Sequence, residues 1–142
     1  LGDVRLSASE RIADLGVEEA DGRFLDLFDL GLQGLNDTPF SGGKLINPGL
    51  ANYLPEANGI TVNKVHGSAA SIAALRQKYP DAQIESMEGA AFFHACLKSG
   101  VNFAEIRSIS NYVEPRNREA WDLPLAILNL NEILRQVLES LI

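Results

Sequence analysis

The chain has 142 residues, 46% of them hydrophobic, a formal net charge of −7 and a single cysteine. That is enough chain for one domain with a sizeable core, and its acidic balance excludes a nucleic-acid backbone as partner, which needs a basic footprint. One cysteine excludes an internal disulfide and a Cys-rich metal motif. No apolar run reaches the ~20 residues that span a membrane, and no basic segment followed by an apolar one marks a signal peptide. No membrane association is expected, and the expected location is cytoplasmic.

Residues 3–9 alternate, with Val4, Leu6 and Ala8 on one side and Arg5, Ser7 and Ser9 on the other. That is the pattern of a half-buried strand. Residues 11–17 show no clear period, and Asp21-Gly22 marks a turn. Residues 24–30 read either as a short helix, through Phe24, Leu25, Leu27 and Phe28, or as an irregular packed segment over the core or at a subunit contact. Residues 31–55 are rich in Gly, Pro and Asn, among them Gly31, Pro39, Gly49 and Asn52, and read as one long loop. Such loops often serve as lids or interface segments. Within it, Ser41-Gly42-Gly43-Lys44 lacks the spacing and the preceding strand of a phosphate-binding loop.

Residues 60–66 are a strand candidate, rich in β-branched side chains. Gly67-Ser68 then opens a helix over 69–79, with Ser68 as N-cap and Pro80 as its stop. A short strand over 84–86 runs into a helix over 87–98 that Gly100 closes. His94 is the one polar residue between Ala90 and Leu97, so this helix is expected to be buried all round. A strand over 103–110, a loop over 111–120 and a last helix follow, the helix capped by Asp122 with Pro124 in its first turn. Leu125, Leu128, Ile133, Leu134, Val137, Leu138 and Leu141 recur at helical spacing and are expected to pack on the sheet. The order strand, loop, strand, helix, strand, helix, strand, helix predicts an α/β layered domain, residues 1–142 forming one domain around a central mixed β-sheet flanked by helices.

The carboxylate of Glu88 stands where the strand over 84–86 turns into a helix. In open α/β sheets, ligands bind at the carboxyl ends of strands, and a helix N-terminus favours negative charge. Glu88 therefore either caps its own helix or holds a hydroxyl-rich ligand. The segment Ser86-Met87-Glu88-Gly89-Ala90-Ala91, followed by Ile106-Arg107-Ser108-Ile109-Ser110-Asn111, resembles the nucleoside phosphorylase and nucleosidase superfamily. The segment from Ser110 to Arg118 resembles the futalosine hydrolase branch of that family. The resemblance implies that Met87 and Glu88 grip the ribose of a purine nucleoside. It implies further that the strand ending in Ser110 and Asn111 meets the purine, and that the turn at Ser68 and Ala69 lies beside the base. The family's nucleosidases commonly place an aromatic residue after that turn, where this chain has Ala69, Ala70 and Ser71, so the stacking partner is left open. The family's N-terminal part, with its first strands, a Gly-rich loop and the acid that activates water, is expected to lie outside this chain. The chain alone is therefore expected to be weak or inactive, with a sheet edge exposed. A homo-oligomer is expected.

The implied chemistry is cleavage of a purine N-glycoside, in which positive charge grows on the ribose and negative charge on the departing base. An ionised Glu88 offers two acceptors to the 2′- and 3′-hydroxyls, and Met87 can pack on the ribose. The Asn111 amide can donate to N7 or O6 of a 6-oxopurine, whereas related adenine-releasing enzymes have an Asp there. The expected substrate is therefore a small-molecule 6-oxopurine nucleoside, futalosine foremost. The alternatives are a methylthioadenosine/adenosylhomocysteine nucleosidase, a purine nucleoside phosphorylase, or a non-catalytic nucleoside-binding module. Arg107 is expected to support the site by pairing with a carboxylate behind it, Glu88 or Asp3. Arg116 or Arg118 is a candidate for the benzoate of futalosine. His66 either faces the ligand or is structural. His66, His94 and Cys96 are not at metal-ligand spacing, and neither a metal nor a cofactor is expected. None of Asp14, Glu18, Glu19 or Glu114 can be assigned as the water-activating base.

Overall fold

A single strand, β1 (Val4–Ile12), carries the sheet in the computed structural model, which describes residues 1–48 and 54–140. After it come β2 (Gly16–Glu18), β3 (Phe24–Asp26), β4 (Phe40–Ser41), β5 (Lys44–Ile46), β6 (Glu56–Thr61), α1 (Ala69–Lys78), β7 (Ile84–Ser86), α2 (Gly89–Ser99), β8 (Ile106–Ser108), a 3-10 turn at Arg118–Ala120 and α3 (Leu123–Ser140). Among the described residues, the main sheet runs β4-β5-β1-β6-β7, and β8 also pairs with β1. β1 runs parallel to β6, and β6 parallel to β7. β5 and β8 run antiparallel to β1. The sheet is therefore mixed and flanked by helices, as the element order predicts.

Alternation puts the two flanks on opposite faces of β6. Ile60 joins Ala13, Val62 and Tyr79 in a cluster that Leu75 of α1 covers. Its neighbour Gly59 lies beneath α2, whose Ala90 and Phe93 pack with Phe40 and Leu45. Phe103 closes that second cluster, meeting Phe93 edge-on with ring centroids 4.8 Å apart.

Several expectations change. β1 does not alternate. Leu6 and Ser7 are both buried, as are Ser9 and Glu10, because neighbours flank the strand on both edges and both faces. The strand expected over 60–66 lies four residues earlier, since β6 pairs with β1 from Glu56 to Thr61 and the chain then leaves the sheet. The long loop over 31–55 contains the hairpin β4–β5, turned by Gly42 (φ +56°) and Gly43 (φ +72°). Paired positive φ values at a two-residue Gly-Gly turn are a hairpin signal. Gly49 and Asn52 lie outside the described residues. Residues 24–30 take the irregular alternative: a short strand, then turns that set Phe28 edge-on against Phe40 at 5.2 Å.

α2 is not buried all round. Gly89, Ala90 and Phe93 are buried, but Phe92 is 40% exposed, because the sheet covers one face of the helix. α3 touches β8 and β1 and buries Ala126, leaving Leu128 and Leu138 exposed. A sheet margin that narrow gives one stripe of α3 something to pack on. Leu141 lies outside the described residues.

Candidate active site

A cavity of about 540 Å³ is lined by β7, by β8 and the segment following it, by the loop from β6 to α1, by one face of α1 and by Leu1 and Asp3 at the start of the chain. The two loops arrive there for local reasons. β6 ends at Thr61, and Asp14 accepts hydrogen bonds from the backbone N–H groups of Asn63 and Lys64, turning the chain away from the sheet. Ser68 then starts α1, its hydroxyl accepting from the Ser71 N–H at 3.2 Å. After β8, the Arg116 N–H donates to the Gly67 carbonyl at 3.1 Å and ties the two loops together.

The start of α2 is different. Glu88 occupies the N-cap position, yet its side chain caps nothing. The helix's first amides are satisfied from the sheet instead: Gly89 N–H donates to the Ser86 hydroxyl at 3.3 Å and Ala90 N–H to the Thr61 hydroxyl at 2.7 Å. The capping reading of Glu88 is thereby excluded. Its side chain is 73% exposed, with Arg107 Nη1 at 3.5 Å. Arg107 is anchored in turn by the buried Glu105, which accepts from its Nε. Ser7 Oγ lies 3.5 Å from the same Glu105 oxygen. Of the two partners expected for Arg107, Glu88 is present, and Asp3 pairs with Arg5 at 2.6 Å. Glu105 was not foreseen, although a carboxylate two residues from an arginine at a strand's start is a readable pairing signal.

Behind this junction lies Glu10, fully buried on β1. One carboxylate oxygen accepts from the Thr61 hydroxyl at 2.9 Å, and the other has no hydrogen-bond partner among the described residues. The carboxylate fills the space that a Cβ on Gly59 or Gly89 would need, so both positions require glycine. Burial pushes the Glu10 carboxyl up to about 7; the Thr61 bond pulls it down and the charge of Glu105 adds to the rise.

Arg107, Ser110 and Asn111 line the cavity. Met87 and Glu88 follow the lining residue Ser86 and stand outside the lining themselves, Met87 50% exposed and Glu88 reaching it through the lining residue Arg107. The Asn111 carbonyl oxygen accepts from Ser110 Oγ at 2.8 Å, and its amide donates to the Tyr112 carbonyl at 3.0 Å. One amide hydrogen remains for a ligand. Ser68 and Ala69 are exposed and stand outside the lining, to which Val65 and His66 of the same loop belong. Arg116 lines the cavity with its guanidinium 5.7 Å from the Trp121 ring, whereas Arg118 stacks on the same ring without lining it. Among the described residues, no group of three or more His, Cys, Asp or Glu side chains could hold a metal ion.

The sequence model of the phosphorylase superfamily matches residues 60–139, the stretch that supplies most of these walls. The chain belongs to that superfamily. It is 39% identical over 137 residues to the futalosine hydrolase of Acidothermus cellulolyticus, covering 92% of this chain and 54% of that protein. It is 36% identical over 149 residues to the futalosine hydrolase of Streptomyces coelicolor, covering 99% of this chain and 60% of that one. The chain thus spans less than two thirds of the length of these curated relatives. Its fold is similar to that of the 5′-methylthioadenosine/S-adenosylhomocysteine nucleosidase of Neisseria meningitidis, solved with methylthio-immucillin-A (TM-score 0.73, 16% identity, 99% of this chain and 62% of that one).

Proposed function

We propose that this superfamily member hydrolyses the N-glycosidic bond of a 6-oxopurine nucleoside, futalosine foremost, releasing hypoxanthine. The observation that carries the reading is the Glu88 carboxylate, placed at a helix start, exposed, and unused as a cap beside a cavity that Asn111 lines. Futalosine hydrolases among the curated relatives support the choice of substrate.

In this reading Glu88 accepts the 2′- and 3′-hydroxyls of the ribose, and Met87 packs against the sugar. Charge-assisted bonds of this kind contribute about 1.5–3 kcal/mol each. The chain Ser7, Glu105, Arg107 holds Glu88 in place. The negative carboxylate also favours the oxocarbenium-like state that forms as the bond to the base breaks. Ser110 orients the Asn111 amide, whose remaining N–H donates to N7 or O6 as charge builds on the base. Arg116, on the cavity wall beside Trp121, is the better candidate of the two loop arginines for an aglycone carboxylate. The same reading takes residues 1–142 as one domain, a cytoplasmic location and assembly into a homo-oligomer. The last is supported by the exposed apolar side chains Phe92, Ile127 and Leu128.

The test measures base release from futalosine, inosine and methylthioadenosine, with and without phosphate. It uses this chain and, alongside it, a full-length curated relative. Phosphate-independent hypoxanthine release from futalosine supports the proposal. Adenine from methylthioadenosine overturns the role of Asn111, and release that requires phosphate makes the protein a phosphorylase.

A further inference from the structure

A carboxylate–imidazole pair faces the cavity and has no part in the ribose site. Glu85 is the middle residue of β7, between the buried Ile84 and Ser86, and its side chain is 6% exposed. It holds one residue by two atoms. Oε1 accepts the backbone N–H of His66 at 3.1 Å, and Oε2 lies 2.6 Å from His66 Nδ1. The His66 side chain is 13% exposed, and both residues line the cavity. A carboxylate that grips a backbone amide and a ring nitrogen of the same residue leaves the imidazole little freedom to rotate.

The grip also sets the tautomer. A carboxylate accepts, so Nδ1 carries the proton in the neutral ring, and Nε2 becomes an acceptor. Nε2 makes no hydrogen bond among the described residues, and Val65, Ile72 and Ile84 are apolar members of the same cavity lining. Asn111 reaches the cavity from the other loop, the two loops being tied where Arg116 meets Gly67. With Asn111 on the N7/O6 edge, the N1 edge remains available to an acceptor such as Nε2. There a 6-oxopurine carries an N1–H donor, and a 6-aminopurine carries a lone pair.

We propose that His66, oriented by Glu85, is a specificity-determining residue that accepts the N1–H of a 6-oxopurine through Nε2. The inference rests on the proposed nucleoside-hydrolase reading and deepens it. A 6-aminopurine places one acceptor against another at this point, and a buried acceptor left unpaired is what gives such sites their discrimination. Glu85 is a positioning residue and acts through the ring.

The test is equilibrium binding of hypoxanthine, 1-methylhypoxanthine and adenine, read by quenching of Trp121, the chain's one tryptophan, which lines the cavity. 1-Methylhypoxanthine keeps the 6-oxo group and lacks the N1–H. The wild-type protein is expected to bind hypoxanthine about tenfold more tightly than the other two. His66→Leu removes that preference, weakening hypoxanthine about tenfold and changing the others less than about threefold. Glu85→Ala moves the preference in the same direction, and adding it to His66→Leu has no further effect on the preference. Equal weakening of all three ligands by His66→Leu overturns the inference and makes the ring a packing element; so does a preference that survives. If His66→Leu does not fold, His66→Gln supplies the comparison: its side-chain carbonyl can accept the N1–H, so the preference survives in part, and complete loss of it overturns the inference. A wild-type protein that releases hypoxanthine from futalosine but ignores N1 methylation defeats this inference alone. One that binds no purine defeats the function proposed above as well.

Discussion

The two helices that follow the parallel strands begin in different ways. α1 is capped by its own residue, Ser68, whose hydroxyl takes the Ser71 N–H. α2 has the acidic Glu88 at the same position, and the sheet caps it from behind through Ser86 and Thr61. The usual economy of a helix start is that the N-cap side chain satisfies the orphan amides. Where that service is supplied from elsewhere, the N-cap side chain is released for something else. At α2 the released group is a carboxylate, aimed past the end of β7 and paired with Arg107. The contrast separates a helix start whose N-cap side chain serves its own backbone from one whose N-cap side chain does not.

The largest expected effect breaks the contrast on the functional side. Glu88→Gln keeps the shape of the side chain and removes its charge. Because Glu88 caps nothing, the thermal midpoint should move by less than about 2 °C. kcat/KM for futalosine should fall about 10²–10³-fold, the worth of one or two charge-assisted bonds. A lowered midpoint with unchanged turnover would return Glu88 to the role of an ordinary cap.

The next effect concerns what capping from behind costs. Thr61 serves two groups: its oxygen accepts from Ala90 N–H and its hydroxyl donates to Glu10. Glu10 is left buried with its carboxyl raised from 4.5 to about 7, chiefly by burial. Below the unfolded-state value the carboxyl is protonated in both states, and the folded protein incurs no penalty. As pH rises, the unfolded chain ionises first, so stability is lost progressively until the folded-state group has titrated near pH 7. Glu10→Gln removes this titration. Its stability relative to wild type should therefore rise by about 3 kcal/mol between pH 4.5 and pH 8, as followed by urea unfolding. A difference that stays flat across that window would disprove the account.

The same contrast shows what could be read in the amino-acid sequence. Ser68 as a cap, Gly100 as a stop (φ +64°) and Asp122 at the start of α3 were legible because each acts on amides a few residues away. Glu88 at the strand–helix junction and Asn111 after the last strand were legible through the family pattern. The capping of α2 was not legible, because Thr61 lies 29 residues from Ala90. The Glu85 grip on His66 spans 19 residues, and a lone histidine before a glycine gives no hint of it. The burial of Glu10 was hidden too. An alternating pattern suggested a strand with one wet face, whereas parallel pairing to β6 and coverage by α2 put polar side chains in the interior. The β4–β5 hairpin was readable from Gly42-Gly43 but was masked by the surrounding Gly, Pro and Asn.

The smallest effect tests the structural side of the comparison. Ser68→Ala removes the two bonds of the Ser68 hydroxyl at the start of α1, from the Ser71 N–H and to Ser71 Oγ, while Ser71 Oγ still donates to the Ser68 carbonyl at 3.1 Å. The loss should be about 1 kcal/mol of stability, a drop in midpoint of about 2–4 °C. Hypoxanthine affinity should change less than about twofold, since Ser68 stands outside the cavity lining while His66, two residues before it, is part of it. An affinity loss larger than the stability loss would place Ser68 back beside the purine and would make both helix starts functional. The pair Glu88→Gln and Ser68→Ala thus crosses the two readouts. Each helix start should move one of them and leave the other in place.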